Sequence, residues 1–459
     1  MLDAKLMVNE LITRAKKAQE VAESFTQEQV DELIKAIAWE VVQEDTAREI
    51  ATLAVTESQL GNYEGKYSKL MKKVRGALRD MKDEKSVGII ERIPEKGIVK
   101  FAKPVGVIGA LVPCTNPEAT PVIKAMNAIK GRNAIVFAPH PRTKKTNKYI
   151  VDIMRATLKK YNAPEDLIIT IEEPSLELSN ELMKQCDLVV ATGGSGMVKS
   201  AYSSGTPAYG VGAGNAVVIV DETADIKDAA HKIKLSKTFD YATSCSSENS
   251  LVIVESVYDE IVADLKAEGG HLVTKDEKEK LQKAMWEDGH LNRRIVAQPA
   301  DKIAELAGIS ISDDEEFIMV EEQGVGADYP FSGEKMSIVV TLYKVKDFDQ
   351  AVDKVNEITG YQGTGHSCGI HTTDQDRVEI LGNRVKVSRI MVRQPQCYAN
   401  SGNWDNGMPF TLTLGCGTWG GNVASENVTW KHFINVTWVS TPIQEVIPTD
   451  EELFGDLAI

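Results

Sequence analysis

Apolar residues recur at helical spacing early in the chain. Val30, Leu33, Ile34, Ile37, Ala38, Val41 and Val42 follow the 3.6-residue period, and Thr26 with Gln29 has the spacing of a capping box. The first hundred residues therefore predict mostly helix. Residues 87–105 instead alternate around a turn and predict a pair of strands. Short apolar runs follow at 105–112, 134–138, 167–171, 188–191 and 216–220. Amphipathic stretches at 117–129, 144–161 and 176–185, and one starting near 196, separate them. This alternation predicts parallel strands with crossover helices, here a five-stranded doubly wound α/β sheet. A second α/β unit repeats the pattern after about residue 221. It has helices at 226–237, 259–268, 276–287 and 347–358, and strands at 250–254, 317–320, 337–342 and 390–392. The glycine-rich stretch 401–422 is too long for a simple connector and reads as a binding loop.

Composition narrows the picture. A chain of 459 residues predicts two or three domains. Its net charge of -15 argues against non-specific binding to nucleic acid or an anionic membrane. No apolar stretch approaches the ~18 residues of a membrane span. The first residues lack the apolar core of a signal peptide. The six cysteines are scattered without a Cys-x-x-Cys pair, which predicts no disulfide framework, no zinc ribbon and a cytoplasmic location.

Several segments carry candidate chemistry. Gly210 to Gly214 superficially resembles a dinucleotide fingerprint, but an apolar run rather than a helix follows it. Thr192-Gly193-Gly194-Ser195-Gly196 has the strand before and the helix after that a phosphate-binding turn requires. Cys245 lies among small polar residues, as an accessible nucleophile would, although a lone Cys is also commonly structural. Asn116 follows the first parallel strand, where it can stabilise an oxyanion or cap the next helix. His366, Cys368 and His371 resemble a metal set without a fourth ligand, so no metal is expected and His366 reads as a polar active-site residue. The cations Arg142, Lys144 and Lys145 at a helix start oppose its dipole and suggest an anion site.

Five blocks, at residues 113–145, 189–215, 243–250, 365–371 and 414–427, run in one order: PCTNPEATPVIKAMNAIKGRNAIVFAPHPRTKK, VVATGGSGMVKSAYSSGTPAYGVGAGN, TSCSSENS, GHSCGIH and LGCGTWGGNVASEN. In these the chain resembles the CoA-acylating branch of the aldehyde dehydrogenase superfamily. The resemblance implies a Rossmann-type cofactor domain (1–86 and 106–221), an α/β catalytic domain (222–424) and a small β oligomerisation flap (87–105 and 425–459). It implies Cys245 as nucleophile, Asn116 and the Cys245 amide as oxyanion hole, and His366 as a histidine of the acylating branch. Thr115, Pro139, His140, Arg142, Gly194, Ser195, Gly196, Gly210 and Glu334 are the implied cofactor-binding set, for NAD or NADP. Gly210 stands where hydrolytic relatives carry a water-activating glutamate. Losing a general base costs water attack typically ~10²–10⁴-fold, which leaves coenzyme A as the acyl acceptor.

The resemblance also implies a small anionic aldehyde as substrate, with sulfoacetaldehyde first and succinate semialdehyde second. Arg393, Tyr398, Trp404 and Asn406 are the expected substrate contacts, and a homodimer or homotetramer the expected assembly. A non-catalytic, cofactor-binding assembly protein is the reading from another class.

Overall fold

The computed structural model describes residues 3–458. Four helices open the chain: α1 (Ala4–Ala22), α2 (Gln27–Val41), α3 (Glu44–Ser58) and α4 (Tyr63–Met81). The capping box at Thr26 and Gln29 is formed at the start of α2. On α4 the buried positions Lys66, Lys69, Leu70, Lys73, Val74, Ala77 and Met81 recur at helical spacing, and three of them are lysines.

Strands β1 (Gly88–Ile93) and β2 (Ile98–Pro104) form the expected antiparallel pair. The first parallel sheet contains β3 (Val107–Val112), β4 (Ala134–Pro139), β5 (Ile168–Thr170), β6 (Leu188–Thr192) and β7 (Ala208–Val211), in the order β5-β4-β3-β6-β7. Helices α5 (Thr120–Lys130), α6 (Lys144–Lys160), α7 (Leu176–Gln185) and α8 (Ser195–Tyr202) connect them. The order reverses at β3, so a crevice opens beyond the carboxyl ends of β3 and β6.

The apolar run at 216–220 does not close this sheet. It forms β8 (Ala216–Val220), which lies between β9 (Glu248–Val254) and β15 (Cys368–His371) in the second sheet. The fifth strand of the first sheet is β7 instead. As an edge strand containing Gly210, it lacks the continuous apolar run that marks strands buried on both faces.

After α9 (Ile226–Thr238) and β9 come α10 (Tyr258–Ala267), β10 (Gly270–Leu272), α11 (Lys275–Met285) and a short hairpin, β11 (Trp286–Glu287) with β12 (His290–Leu291). Then follow α12 (Ala300–Ala307), β13 (Phe317–Glu321), β14 (Val339–Val345), α13 (Phe348–Tyr361), β15 (Cys368–His371), α14 (Gln375–Arg384) and β16 (Ile390–Val392). The second sheet has the order β10-β13-β14-β9-β8-β15-β16, and its strands are all parallel. Beyond the glycine-rich stretch, β17 (Ile434–Ser440) pairs antiparallel with β2. Phe410, Ala424, Val428, Trp430 and Phe433 pack into the core of the first sheet, so this returning segment ties both sheets together. Among the described residues no helix is long and apolar enough to cross a membrane.

Asn133 fastens the junction between these parts. Its Oδ1 accepts from the amides of Val105 (2.7 Å) and Gly106 (3.0 Å), and its Nδ2 donates to the carbonyls of Ala128 (3.2 Å) and Phe433 (2.7 Å). All of this side chain is buried. Asn133→Ala leaves several buried backbone groups unpaired, at an expected cost of about 2–4 kcal/mol. Thermal unfolding of the variant should show a clearly lowered Tm; a Tm equal to wild type would contradict this role.

Candidate active site

Cys245 lies in the loop that enters β9, and His366 in the loop that enters β15. Both strands are parallel, so both loops stand at the amino edge of the second sheet. Cys245 Sγ is 3.1 Å from His366 Nε2, and His366 Nδ1 is 2.8 Å from Ser367 Oγ. Behind them the buried Arg389 donates to the carbonyls of His366 (3.0 Å) and Gly415 (2.6 Å). Gly214 presses directly on the Cys245 loop, since a Cβ there would stand 1.8 Å from the Cys245 carbonyl oxygen. Only a glycine allows that approach.

Burial, and then the Glu334 carboxylate, push the Cys245 thiol up to about 12. Burial, and then Arg389, lower His366 to about 3. At neutral pH the pair is therefore a thiol facing a neutral imidazole, and Nε2 is placed to accept the thiol proton. Burial also raises Glu334 to about 8, against the Gly214 amide, Lys335 and Lys237.

Asn116 follows β3 at the carboxyl edge of the first sheet. Its Oδ1 accepts from Lys69 Nζ at 2.6 Å, and its Nδ2 turns to Thr115 Oγ1 at 3.2 Å. Lys69 also binds Asp240 (2.6 Å) and Thr243 (3.1 Å) of the Cys245 loop. Lys66 pairs with Asp240 at 2.9 Å and donates to the Thr115 carbonyl. Burial works against the charge of Lys69, but Asp240 and Glu118 outweigh it and hold its pKa above the ordinary value. The same lysines hold Asp240 low against its own burial. Asp240, Tyr241 and Ala242 are all left-handed, with φ of 48°, 49° and 60°. Such residues are strained and persist only where neighbours fix them. Here Lys66 and Lys69 supply the fixing contacts.

The crevice at the carboxyl ends of β3, β4 and β6 is a largely apolar cleft of about 250 Å³. Pro139, His140, Gly194, Leu176 and Met197 line it. Gly194 caps α8 without a side-chain bond, and a Cβ on Gly194 or Gly196 would meet only open space. The first amides of α8 are thus left for an anion. The Ser195 side chain lies outside the described residues. A flat heterocycle with an attached phosphate fits this cleft.

In the neighbouring basic cluster, where an anion site is expected, two of the cations have partners within the chain. Arg142 donates to the Ser58 carbonyl, and Lys144 pairs with Glu173 at 2.5 Å. The anion at the start of α6 is internal: Glu57 accepts from the amides of Lys145 and Thr146, both at 2.8 Å. At Gly210, in β7, a Cβ would lie 2.7 Å from both Val198 and Tyr202. Helix α8 fills the space that a side chain at Gly210 would need.

The profile of the aldehyde dehydrogenase family matches residues 3–306. The chain is 50% identical over 454 residues to "Sulfoacetaldehyde dehydrogenase (acylating)" of Bilophila wadsworthia, covering 98% of each. It is 41% identical over 453 residues to "Succinate-semialdehyde dehydrogenase (acetylating)" of Clostridium kluyveri, covering 98% of this chain and 99% of the other. The crystal structure of an acetylating aldehyde dehydrogenase from Geobacillus thermoglucosidasius superposes with a TM-score of 0.94 at 38% identity, over 98% of this chain and 99% of that one. The chain belongs to the aldehyde dehydrogenase family.

In this aldehyde dehydrogenase three expected substrate contacts are displaced from the Cys245 loop. Arg393 follows β16 at the carboxyl edge of the second sheet, opposite the edge that holds Cys245 and His366. Its amide donates to the Ile370 carbonyl at 2.8 Å, and it lines a separate cleft with Asp225, Asp228, Lys232 and Thr373. Trp404 packs at a tilt against Phe410, with ring centroids 4.9 Å apart, beside Arg79 at the outer end of α4. Arg79 is roughly 15 Å along that helix from Lys69. Asn406 spends its polar atoms within its own loop, donating to Gln394 (2.8 Å) and Ala399 (3.2 Å) and accepting from the amides of Asn403 and Met408. Tyr398 does reach the site, with its ring 4.6 Å from that of Phe239, next to Asp240.

Sequence reasoning missed Lys66, Lys69, Lys73, Glu118, Asp240 and Arg389. The signal was present in the three lysines on the apolar stripe of α4. A buried lysine needs a partner, and these partners are the loops of the site.

Two outcomes follow for the dehydrogenase. Iodoacetamide labelling of Cys245 in the free enzyme should be slow at pH 7 and rise about tenfold per pH unit to pH 9, because the raised thiol ionises only at high pH. Mass spectrometry of the Cys245 peptide checks this, and a plateau below pH 8 would contradict it. Lys69→Met should lower kcat/KM by about 10²-fold, as loss of an oxyanion donor does. Combined with Asn116→Ala, the loss should be smaller than the product of the two single losses, because part of the Lys69 effect runs through Asn116 and the rest through Asp240; full additivity would exclude the first link.

Proposed function

We propose that this enzyme oxidises a small anionic aldehyde to its CoA thioester with NAD(P)+, with sulfoacetaldehyde as the foremost substrate. The observation that carries the acylating reading is Gly210. Where a water-activating base would have to stand there is no side chain, and a Cβ would press on Val198 and Tyr202. The half-identical Bilophila wadsworthia relative supports sulfoacetaldehyde. The Clostridium kluyveri relative favours succinate semialdehyde as the second reading.

In this mechanism Cys245 Sγ, oriented by its hydrogen bond to the neutral His366 Nε2, loses its proton to solvent and attacks the aldehyde carbon. Asn116, held by Lys69, turns its amide to the oxyanion. Pro139, His140 and the start of α8 would hold the dinucleotide, and Glu334, beside Gly214, its nicotinamide ribose. NAD(P)+, when bound, supplies the acceptor for the hydride that leaves the substrate carbon. Cys245 then carries a thioester. The CoA thiol displaces Cys245 and its proton passes to the Cys245 sulfur, so the one proton released overall is the one Cys245 lost at the first step. The exposed flap strands β1, β2 and β17 are the surface for the proposed homodimer or homotetramer.

Cys245→Ala should form no NADH from aldehyde and CoA. Without CoA, the wild type should form at most about one equivalent of NADH per site. Sustained CoA-independent turnover to the free acid would overturn the acylating reading. Comparing kcat/KM for sulfoacetaldehyde, succinate semialdehyde and propionaldehyde ranks the substrates, and a preference for propionaldehyde would overturn the anionic class.

A further inference from the structure

Arg393 stands at the wrong edge of the sheet to receive an anionic substrate, but α4 offers another cation. Its three buried lysines are committed. Lys66 and Lys69 hold Asp240, and Lys73 donates to the carbonyls of Tyr398 (3.2 Å), Ser401 (3.3 Å) and Gly402 (2.6 Å). Lys72 is different. It is half-buried, and no hydrogen bond or ion pair joins its amine to any described residue. Burial lowers its pKa, and only the more distant Asp405 opposes this.

Its position is specific. Lys72 Nζ lies 4.9 Å from the Tyr398 ring centroid, and that ring packs on Phe239 at 4.6 Å. Phe239 immediately precedes the Asp240 turn of the nucleophile loop. Lys69, which holds Asn116, stands 5.7 Å from the same Phe239 ring. Lys72 is three residues along the helix from Lys69, which places the two on neighbouring parts of one face. An aldehyde whose oxygen faces Asn116, held by Lys69, can therefore turn a charged group close to that oxygen toward Lys72. Burial, and then Lys72 and Lys69, hold the Lys73 pKa well below its ordinary value.

We propose that Lys72, above the Tyr398 ring, binds the sulfonate or carboxylate of the aldehyde and so selects anionic substrates. The assignment rests on the reading that the substrate is an anionic aldehyde. A bound anion supplies the partner that a half-buried ammonium otherwise lacks, through a charge-assisted hydrogen bond.

The test compares wild type, Lys72→Met, Lys72→Gln and Lys72→Arg on sulfoacetaldehyde, succinate semialdehyde and propionaldehyde. Methionine and glutamine should each lower kcat/KM for the anionic aldehydes by about 10²-fold, mainly through KM. Propionaldehyde turnover should stay within about threefold, which also shows that the variants fold. Arginine should restore much of the loss. Ethanesulfonate should inhibit propionaldehyde turnover competitively in wild type and much less in Lys72→Gln. An equal loss on all three aldehydes, or an unchanged anionic preference, overturns the Lys72 assignment alone. A wild type with no anionic preference overturns the substrate reading, and this assignment with it.

Discussion

The site depends on three ammonium groups buried along one helix. An ammonium taken out of water is costly unless oppositely charged or carbonyl oxygens replace its hydration. Lys66, Lys69 and Lys73 find those oxygens in three separate loops: Thr115 and Asn116 after β3, Asp240 and Thr243 before β9, and Tyr398 to Gly402 after β16. Each loop is irregular backbone with no ladder of its own. The requirement to solvate the lysines brings them to one place. The two sheets are thereby joined carboxyl edge to amino edge, and the Asn116 loop and the Cys245 loop are drawn to the same lysine.

Asp240 shows how tightly this arrangement is drawn. Gly61 and Gly65 approach it so closely that a Cβ on either would fall 1.9 Å and 2.5 Å from its side chain. The carboxylate is thus enclosed by α4 and the turn before it. The left-handed run through Ala242 delivers Cys245 to His366 and to the Gly214 backbone. Polar satisfaction and close packing fix the same loop from two sides.

Much of the α/β alternation is legible in the sequence, because strands buried on both faces must be continuously apolar and their connecting helices must carry a polar side. The criterion fails at β7, where an edge position and Gly210 break the apolar run, and it then assigns Ala216–Val220 to the wrong sheet. Cys245, Asn116 and His366 were legible through their block motifs, and the structure brings Cys245 and His366 together. Arg393, Trp404 and Asn406 misled because residue type was read without direction. Arg393 follows its strand at the carboxyl edge, and Asn406 is consumed by its own turn. The lysines of α4 went unread because a cation in a helix is ordinarily a solvated one.

Glu57 has a consequence for how a long polyanion can lie on the first sheet. Two helices, α6 and α8, begin along the same carboxyl edge, and each start attracts negative charge. One is already neutralised by Glu57 from α3. The other keeps its amides bare behind Gly194. The protein thus carries an internal decoy at the first start, whose carboxylate repels a second anion as well as occupying the amides. A phosphate-bearing ligand entering the cleft finds one seat rather than two. That single seat fixes the register of the ligand along the edge, and hence the direction in which its far end points.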